Sequence, residues 1–182
     1  MQISDLGHED RHTIEQAAAL LVEGFRADWP EAWPTHEVAL VEVYEALEDG
    51  KICRAARDDD GMLLGWIGAQ PTYSLVWELH PLVVQPNLQR CGIGRALVAD
   101  LETQVRQRGA HTLVLGSDDE TGMTSLSGVD LYPDVWPHIA AIQNLRGHPF
   151  TFYQRCGFVI TGVVPDANGF GKPDILMAKR VG

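Results

Sequence analysis

Six residues, Gln89-Arg90-Cys91-Gly92-Ile93-Gly94, carry the strongest chemical signal in this chain of 182 residues. They follow an apolar strand pattern ending at Val84 and open a helical pattern from Arg95. A strand–loop–helix junction aims backbone N–H groups that lack helical partners, and the positive helix end, at an anion. Gly92 and Gly94 let the main chain approach a phosphate closely, while Arg90 and Arg95 add positive charge. The dinucleotide fingerprint is excluded because its third glycine would fall on Leu97, and a Walker loop because Arg95-Ala96 lacks the metal-binding hydroxyl. A glycine turn without a ligand competes for the hexapeptide alone; the flanking strand and helix favour a phosphate site.

Asp118, Asp119 and Glu120 are the second feature, three successive acids where a short strand gives way to a loop. Such a run complements a polycation, or it is simply a solvated acidic loop. No histidine stands at ligand spacing beside it, so no metal site is expected. The chain carries a net charge of −11, which repels nucleic acid and favours cationic ligands. Trp29, Trp33, Trp66 and Tyr73 suit either a stacking wall for a cationic ring or ordinary core packing. Of these, Trp29 and Trp66 are taken as the pocket candidates.

The elements that must position these groups can be read from periodicity. Apolar residues between His12 and Phe25 form a helical stripe, and two Trp-Pro pairs end it. A second helix is predicted from an N-cap at Thr35 to Asp49, then a strand over 51–57, a turn at Asp60-Gly61 and a returning strand over 62–70. The next strand, 76–84, contains Pro81, which removes a ladder donor and predicts a bulge. An amphipathic helix over 95–108, a buried strand over 112–116 and a loop over 117–128 follow. Short helices over 139–145 and 149–156 precede strands over 158–164 and 174–180. The first residues read as a polar tail. The order is α+β, with a mixed, mostly antiparallel central sheet flanked by helices.

Length bounds the chain to one compact domain over residues 1–182. No apolar run approaches the roughly 18 residues of a membrane span, and none at the start reads as a signal peptide. Cys53, Cys91 and Cys156 are unpaired in spacing, which points to a reducing cytoplasm and no membrane partner.

The hexapeptide resembles the pyrophosphate loop of the GNAT superfamily, and the likeness runs on through several blocks. Trp77-Glu78-Leu79-His80-Pro81-Leu82-Val83-Val84, Leu115-Gly116-Ser117-Asp118-Asp119, Ile142-Gln143-Asn144-Leu145 and His148-Pro149-Phe150-Thr151-Phe152-Tyr153 are similar to bacterial aminoglycoside 6'-N-acetyltransferases. So is Gly162-Val163-Val164-Pro165-Asp166-Ala167-Asn168-Gly169 near the end. The resemblance spans about Trp77 to Lys179 and implies the GNAT fold, acetyl-coenzyme A as cosubstrate and a homodimer. It places the coenzyme at Leu82, Val83, Val84, Gln89, Arg90, Gly92, Ile93, Gly94, Arg95 and Asn144. It makes Glu78 the acceptor-side carboxylate, Val84 with its strand neighbours the source of a carbonyl-polarising N–H, and Tyr153 the acid for the departing thiolate. Asp118, Asp119 and Glu120 would then face the aminoglycoside. Where relatives often carry a further acid, this chain has Thr121.

From the residues alone, Glu78 also suits a structural carboxylate, Tyr153 a core aromatic, and Asn144 a turn residue. His80 and His148, each before a proline, are expected to be structural. Two other functions fit the same loop: acetylation of another amine (a polyamine, a small metabolite or a protein lysine), and a non-catalytic sensor of acyl-coenzyme A.

Overall fold

A computed structural model describes residues 1–182, which form two compact units: 1–113 with 181–182, and 114–180. In the first unit, β1 (Gln2–Asp5), β2 (Ile52–Arg57), β3 (Leu63–Tyr73) and β4 (Val76–Val84) lie side by side in that order, each antiparallel to the next. Two helices, α1 (Arg11–Phe25) and α2 (His36–Ala46), precede β2, and α3 (Ile93–Gln107) follows β4. The α1 stripe buries Ile14, Ala17, Ala18 and Leu21 with Ala39 and Val43 of α2 against Ala55, Leu63, Trp66 and Val83 of the sheet.

Side chains alternate along β2, so Cys53 and Ala55 join that cluster while Arg54 points to the opposite face. There its guanidinium donates to both carboxylate oxygens of Asp100 on α3, at 2.6 and 3.0 Å, and to Asp5 of β1 at 2.6 Å. One buried cation therefore ties the first strand and the helix behind the phosphate loop to β2. The expected polar tail is a strand because residues 2–5 pair residue for residue with 54–57.

The bulge predicted at Pro81 is present. Ile67 faces Leu82 and Ala69 faces Leu79, so Gly68 alone opposes His80 and Pro81. A Cβ at position 68 would stand 2.4 Å from the His80 carbonyl oxygen, so the close approach requires glycine. A turn of 3₁₀ helix at Pro86–Leu88, absent from the sequence reading, leads into the glycine loop.

The second unit contains β5 (Thr112–Asp118, beginning two residues before the unit boundary), α4 (Val135–Ala140), α5 (Phe150–Arg155), β6 (Val159–Val164) and β7 (Asp174–Arg180). Its strands run in the order β5-β7-β6, with β6 and β7 antiparallel. Several boundaries differ from expectation. Helix α2 stops at Ala46, and β5 continues through Asp118. Helix α4 begins at Val135, where Pro137 suits a first helical turn, and ends at Ala140, whereas 142–145 are not helical and Asn144 makes an isolated bridge to Thr124.

Gly68→Ala should lower stability by about 1–3 kcal/mol in thermal unfolding, since the added methyl meets fixed backbone. Asp100→Ala should cost roughly 3 kcal/mol by leaving the buried Arg54 guanidinium half-compensated; a variant as stable as the parent would show that this ion pair does not hold α3.

Candidate active site

The glycine loop is shaped for an anion. Arg90 and Gly92 adopt left-handed backbone, with φ of 63 and 90°. Gly92 caps α3 without any side-chain hydrogen bond, and the first helical bond runs from Ala96 N–H to the Gly92 carbonyl. The N–H groups of Ile93, Gly94 and Arg95 therefore precede any helical acceptor and gather at the positive helix end. No side chain crowds the loop, for a Cβ at Gly92 would meet nothing within 4 Å. Gln89, Arg90 and Arg95 are exposed around it, and Ile93 is buried as its anchor. These residues fit a diphosphate.

Strand β4 supplies the neighbouring groups. Gln85 N–H bonds to the Leu64 carbonyl at 2.9 Å, and Val84 faces Gly65 in the next step of the register. Antiparallel pairing alternates, so the N–H groups of Val84 and Leu82 point away from β3 while Val83 bonds across it. On the far side of the bulge, Glu78 faces Gln70 and accepts a hydrogen bond from its amide at 3.1 Å. Glu78 and His80 share one face of β4.

His80 Nε2 stands 3.4 Å from Glu42 Oε1, and the Trp33 indole donates to Glu42 Oε2 at 3.4 Å. Burial pushes the Glu42 carboxyl up, but His80, Trp33 and Lys51 together hold it below the usual value. Glu42, Glu45, Lys51, Gln70 and His80 line a cavity of about 220 Å³, so Gln70 belongs both to this hollow and to Glu78. Sequence reasoning missed Gln70 and Glu42. Counting the β3–β4 hairpin register would have placed Gln70 opposite Glu78, whereas nothing local marks Glu42.

The tryptophans divide. Trp66 is 0% exposed and donates its indole N–H to the Ala17 carbonyl at 3.2 Å, which corrects its expected place in a pocket: it is a core residue. Trp29 is half-buried on the turn after α1, its ring 5.6 Å from Phe25, and Trp33 packs edge-on at 4.6 Å from the same phenylalanine.

In the second unit the three acids have separate fates. Asp119 is 0% exposed, and its two oxygens accept from Met123 N–H at 2.7 Å and Thr124 N–H at 2.8 Å. It shapes the loop and cannot reach a ligand, which corrects the substrate role expected for it. Asp118 ends β5 half-buried and accepts from the Asn168 amide through Oδ1, while Glu120 is half-buried in the following loop.

Asn144 is corrected likewise. Its amide nitrogen donates to the His148 carbonyl and Thr151 Oγ1, at 2.7 and 3.0 Å, and its oxygen accepts from the N–H groups of Gly147 and His148 at 2.8 Å each. All four hydrogen-bonding positions of that amide are occupied, leaving none for a coenzyme arm. His148, structural as expected, is 0% exposed; Nδ1 accepts from Phe150 N–H, so Nε2 carries the proton donated to the Asp118 carbonyl at 3.0 Å. The loop so fixed leads into α5, where Tyr153 packs against Phe152 and Phe158 at 5.1 and 5.7 Å. Burial, with a smaller contribution from Cys156, pushes the Tyr153 phenol well above its ordinary value.

Comparison with solved structures gives full-length likenesses. An aminoglycoside 6'-N-acetyltransferase complexed with coenzyme A is 42% identical, with a TM-score of 0.91, covering 100% of this chain and 98% of the other. The aminoglycoside 6'-N-acetyltransferase from Enterococcus faecium is also 42% identical, at a TM-score of 0.88 and the same 100% and 98% coverage. Aminoglycoside 6'-acetyltransferase type Ii is 34% identical, at a TM-score of 0.75 and again 100% and 98% coverage. A search among curated proteins gives no match. The model of the acetyltransferase (GNAT) family matches residues 18–132, which take in β4, the anion loop and α3, and with these likenesses it shows that the chain belongs to that family and has its fold.

Proposed function

We propose that this chain transfers acetyl from acetyl-coenzyme A to the 6'-amino group of aminoglycoside antibiotics, and so inactivates them. The observation that carries the proposal is the 42% identity over 100% of this chain to an aminoglycoside 6'-N-acetyltransferase complexed with coenzyme A. The whole of 1–182 acts as one catalytic domain in this reading, as the same full-length coverage supports.

The cosubstrate supplies an activated acetyl thioester. The N–H groups of Ile93, Gly94 and Arg95, with Gln89, Arg90 and the Gly92 turn, hold its diphosphate. Leu82 and Val83 lie along its arm, and the outward Val84 N–H draws electron density onto the carbonyl oxygen. Glu78 attracts the acceptor ammonium and takes the proton that frees its lone pair, directly or through water. The amine attacks, a C–N bond replaces the C–S bond, and no acyl-enzyme forms. Tyr153 gives its phenolic proton to the departing thiolate and regains one as the acylated nitrogen sheds its second proton, directly or through water. Its raised pKa keeps that proton in place across neutral and mildly alkaline pH.

Asp118 and Glu120 supply negative charge for the remaining ammonium groups, and Trp29 an aromatic face. The three cysteines are free and no helix is long and apolar enough to cross a membrane; both accord with a cytoplasmic enzyme. A homodimer is the assembly proposed. β7 lies between β5 and β6 in its own unit, so the strand offered to a partner is β6, with Val159 and Val164 exposed.

Purified protein, assayed for release of free coenzyme A, should turn over kanamycin-type substrates bearing a 6'-amine and ignore those with a 6'-hydroxyl. Turnover of spermidine or a lysine peptide with silence toward aminoglycosides would replace this reading by the general amine acetyltransferase. Glu78→Ala and Tyr153→Phe should each lower kcat by roughly 10²-fold while calorimetric affinity for acetyl-coenzyme A stays unchanged; full activity in both would remove these residues from the chemistry.

A further inference from the structure

Strand alternation and the bulge together decide which side of the sheet Glu78 occupies. Val83 faces α1, since a Cβ on Gly24 would stand 2.6 Å from its Cγ2. Strict alternation back from Val83 would turn Leu79 to the helices and Glu78 to the opposite side. The extra residue at His80-Pro81 reverses that parity, so Glu78 and His80 face α2. His80 Nε2, 3.4 Å from Glu42 of α2, bears this out. On β3, Gln70 shares a face with Trp66, whose indole reaches Ala17 of α1. Both Glu78 and Gln70 therefore lie on the face that carries the cavity lined by Glu42, Glu45, Lys51, Gln70 and His80. Its volume of about 220 Å³ far exceeds the roughly 10–15 Å³ that one water needs, so it has room for an alkylammonium group.

On that face the two residues meet. Gln70 stands opposite Glu78 in the register, so their side chains project together, and the Gln70 amide donates to Glu78 Oε2 at 3.1 Å. Gln70 is itself part of the cavity wall, so the bond holds the carboxylate one hydrogen bond from the hollow. A glutamate side chain rotates freely unless something holds it, and a proton acceptor works only within about 0.5 Å of its productive position. We infer that Gln70 is a positioning residue for the acetyl transfer: its amide fixes the Glu78 carboxylate beside the cavity, where the acceptor ammonium gives up its proton. This rests on the role proposed for Glu78 and deepens it.

The test uses the full-length enzyme, with kanamycin and acetyl-coenzyme A varied separately. Gln70→Leu should lower kcat/KM for kanamycin about tenfold, the equivalent of one lost hydrogen bond to a charged group. Its KM for acetyl-coenzyme A should stay within about twofold, and its melting temperature should match the parent. Gln70→Glu keeps the shape but sets a like charge against Glu78, and should lower kcat/KM for kanamycin further. In a Glu78→Gln background, Gln70→Leu should cost no more than about twofold. Unchanged kanamycin kinetics in both single variants, equal losses toward both substrates, or the full loss repeated in the Glu78→Gln background would each overturn the inference while the proposed function stood. A parent enzyme inactive on every aminoglycoside but active on another amine would instead defeat the functional reading, and this inference with it.

Discussion

Pro81 has no amide hydrogen to give, and strand β4 is organised around that deficiency. Two residues, His80 and Pro81, stand where β3 offers one, and Gly68 is the one because only hydrogen fits against the His80 carbonyl. The extra residue changes which side chains and which amides face each way before and after it. Upstream, Glu78 meets Gln70. Downstream, Val84 turns its N–H away from β3, and the chain proceeds through a 3₁₀ turn to the left-handed Gly92 and the open start of α3. The Glu78 carboxylate and the outward Val84 amide thus stand on either side of one irregularity, in the strand that leads to the glycine loop.

The carboxylates of this chain differ in the groups they accept from. Asp100 and Asp5 share the buried Arg54 guanidinium, and Asp10 pairs with Arg57 while capping α1. In these places a guanidinium faces the carboxylate; for the largely buried Arg54–Asp100 pair, removing either partner would leave an uncompensated charge. Glu78 accepts from the Gln70 amide, and Asp118 accepts from the Asn168 amide. An amide satisfies and orients a carboxylate without cancelling its field.

Much of this was legible in the sequence because the signals were local. Pro81 announced the bulge, the glycine at 92 announced the turn that opens α3, and the apolar stripe of α1 announced the face it packs. What escaped depended on contacts between distant residues. Residues 2–5 are polar in composition and form a strand only because β2 offers them a pairing edge. Trp66 looked like a ligand-stacking residue, since nothing in the sequence shows that Ala17 waits to accept its N–H or that α1 covers its ring. The Asn168–Asp118 bond joins residues fifty positions apart and has no local trace at all.

Two of the corrected residues, Asp119 and Asn144, share a cause. Residues 119–149 contain only one helix, α4 over Val135–Ala140, so most of the main chain there lacks a ladder for its N–H and C=O groups. Where such groups are buried, side chains must satisfy them. Asp119 does so for Met123 and Thr124, Asn144 for Gly147 and His148, and His148 for Phe150 and Asp118. Polar residues in an irregular segment therefore stand out in a sequence for the same reason that binding residues do. The distinction appears only when donors and acceptors are counted. Asp119 and Asn144 are saturated by their own loop, whereas Tyr153, on the helix which that loop positions, keeps its phenolic proton through burial. Asn144 and His148 hold the start of α5, and so set where Tyr153 stands.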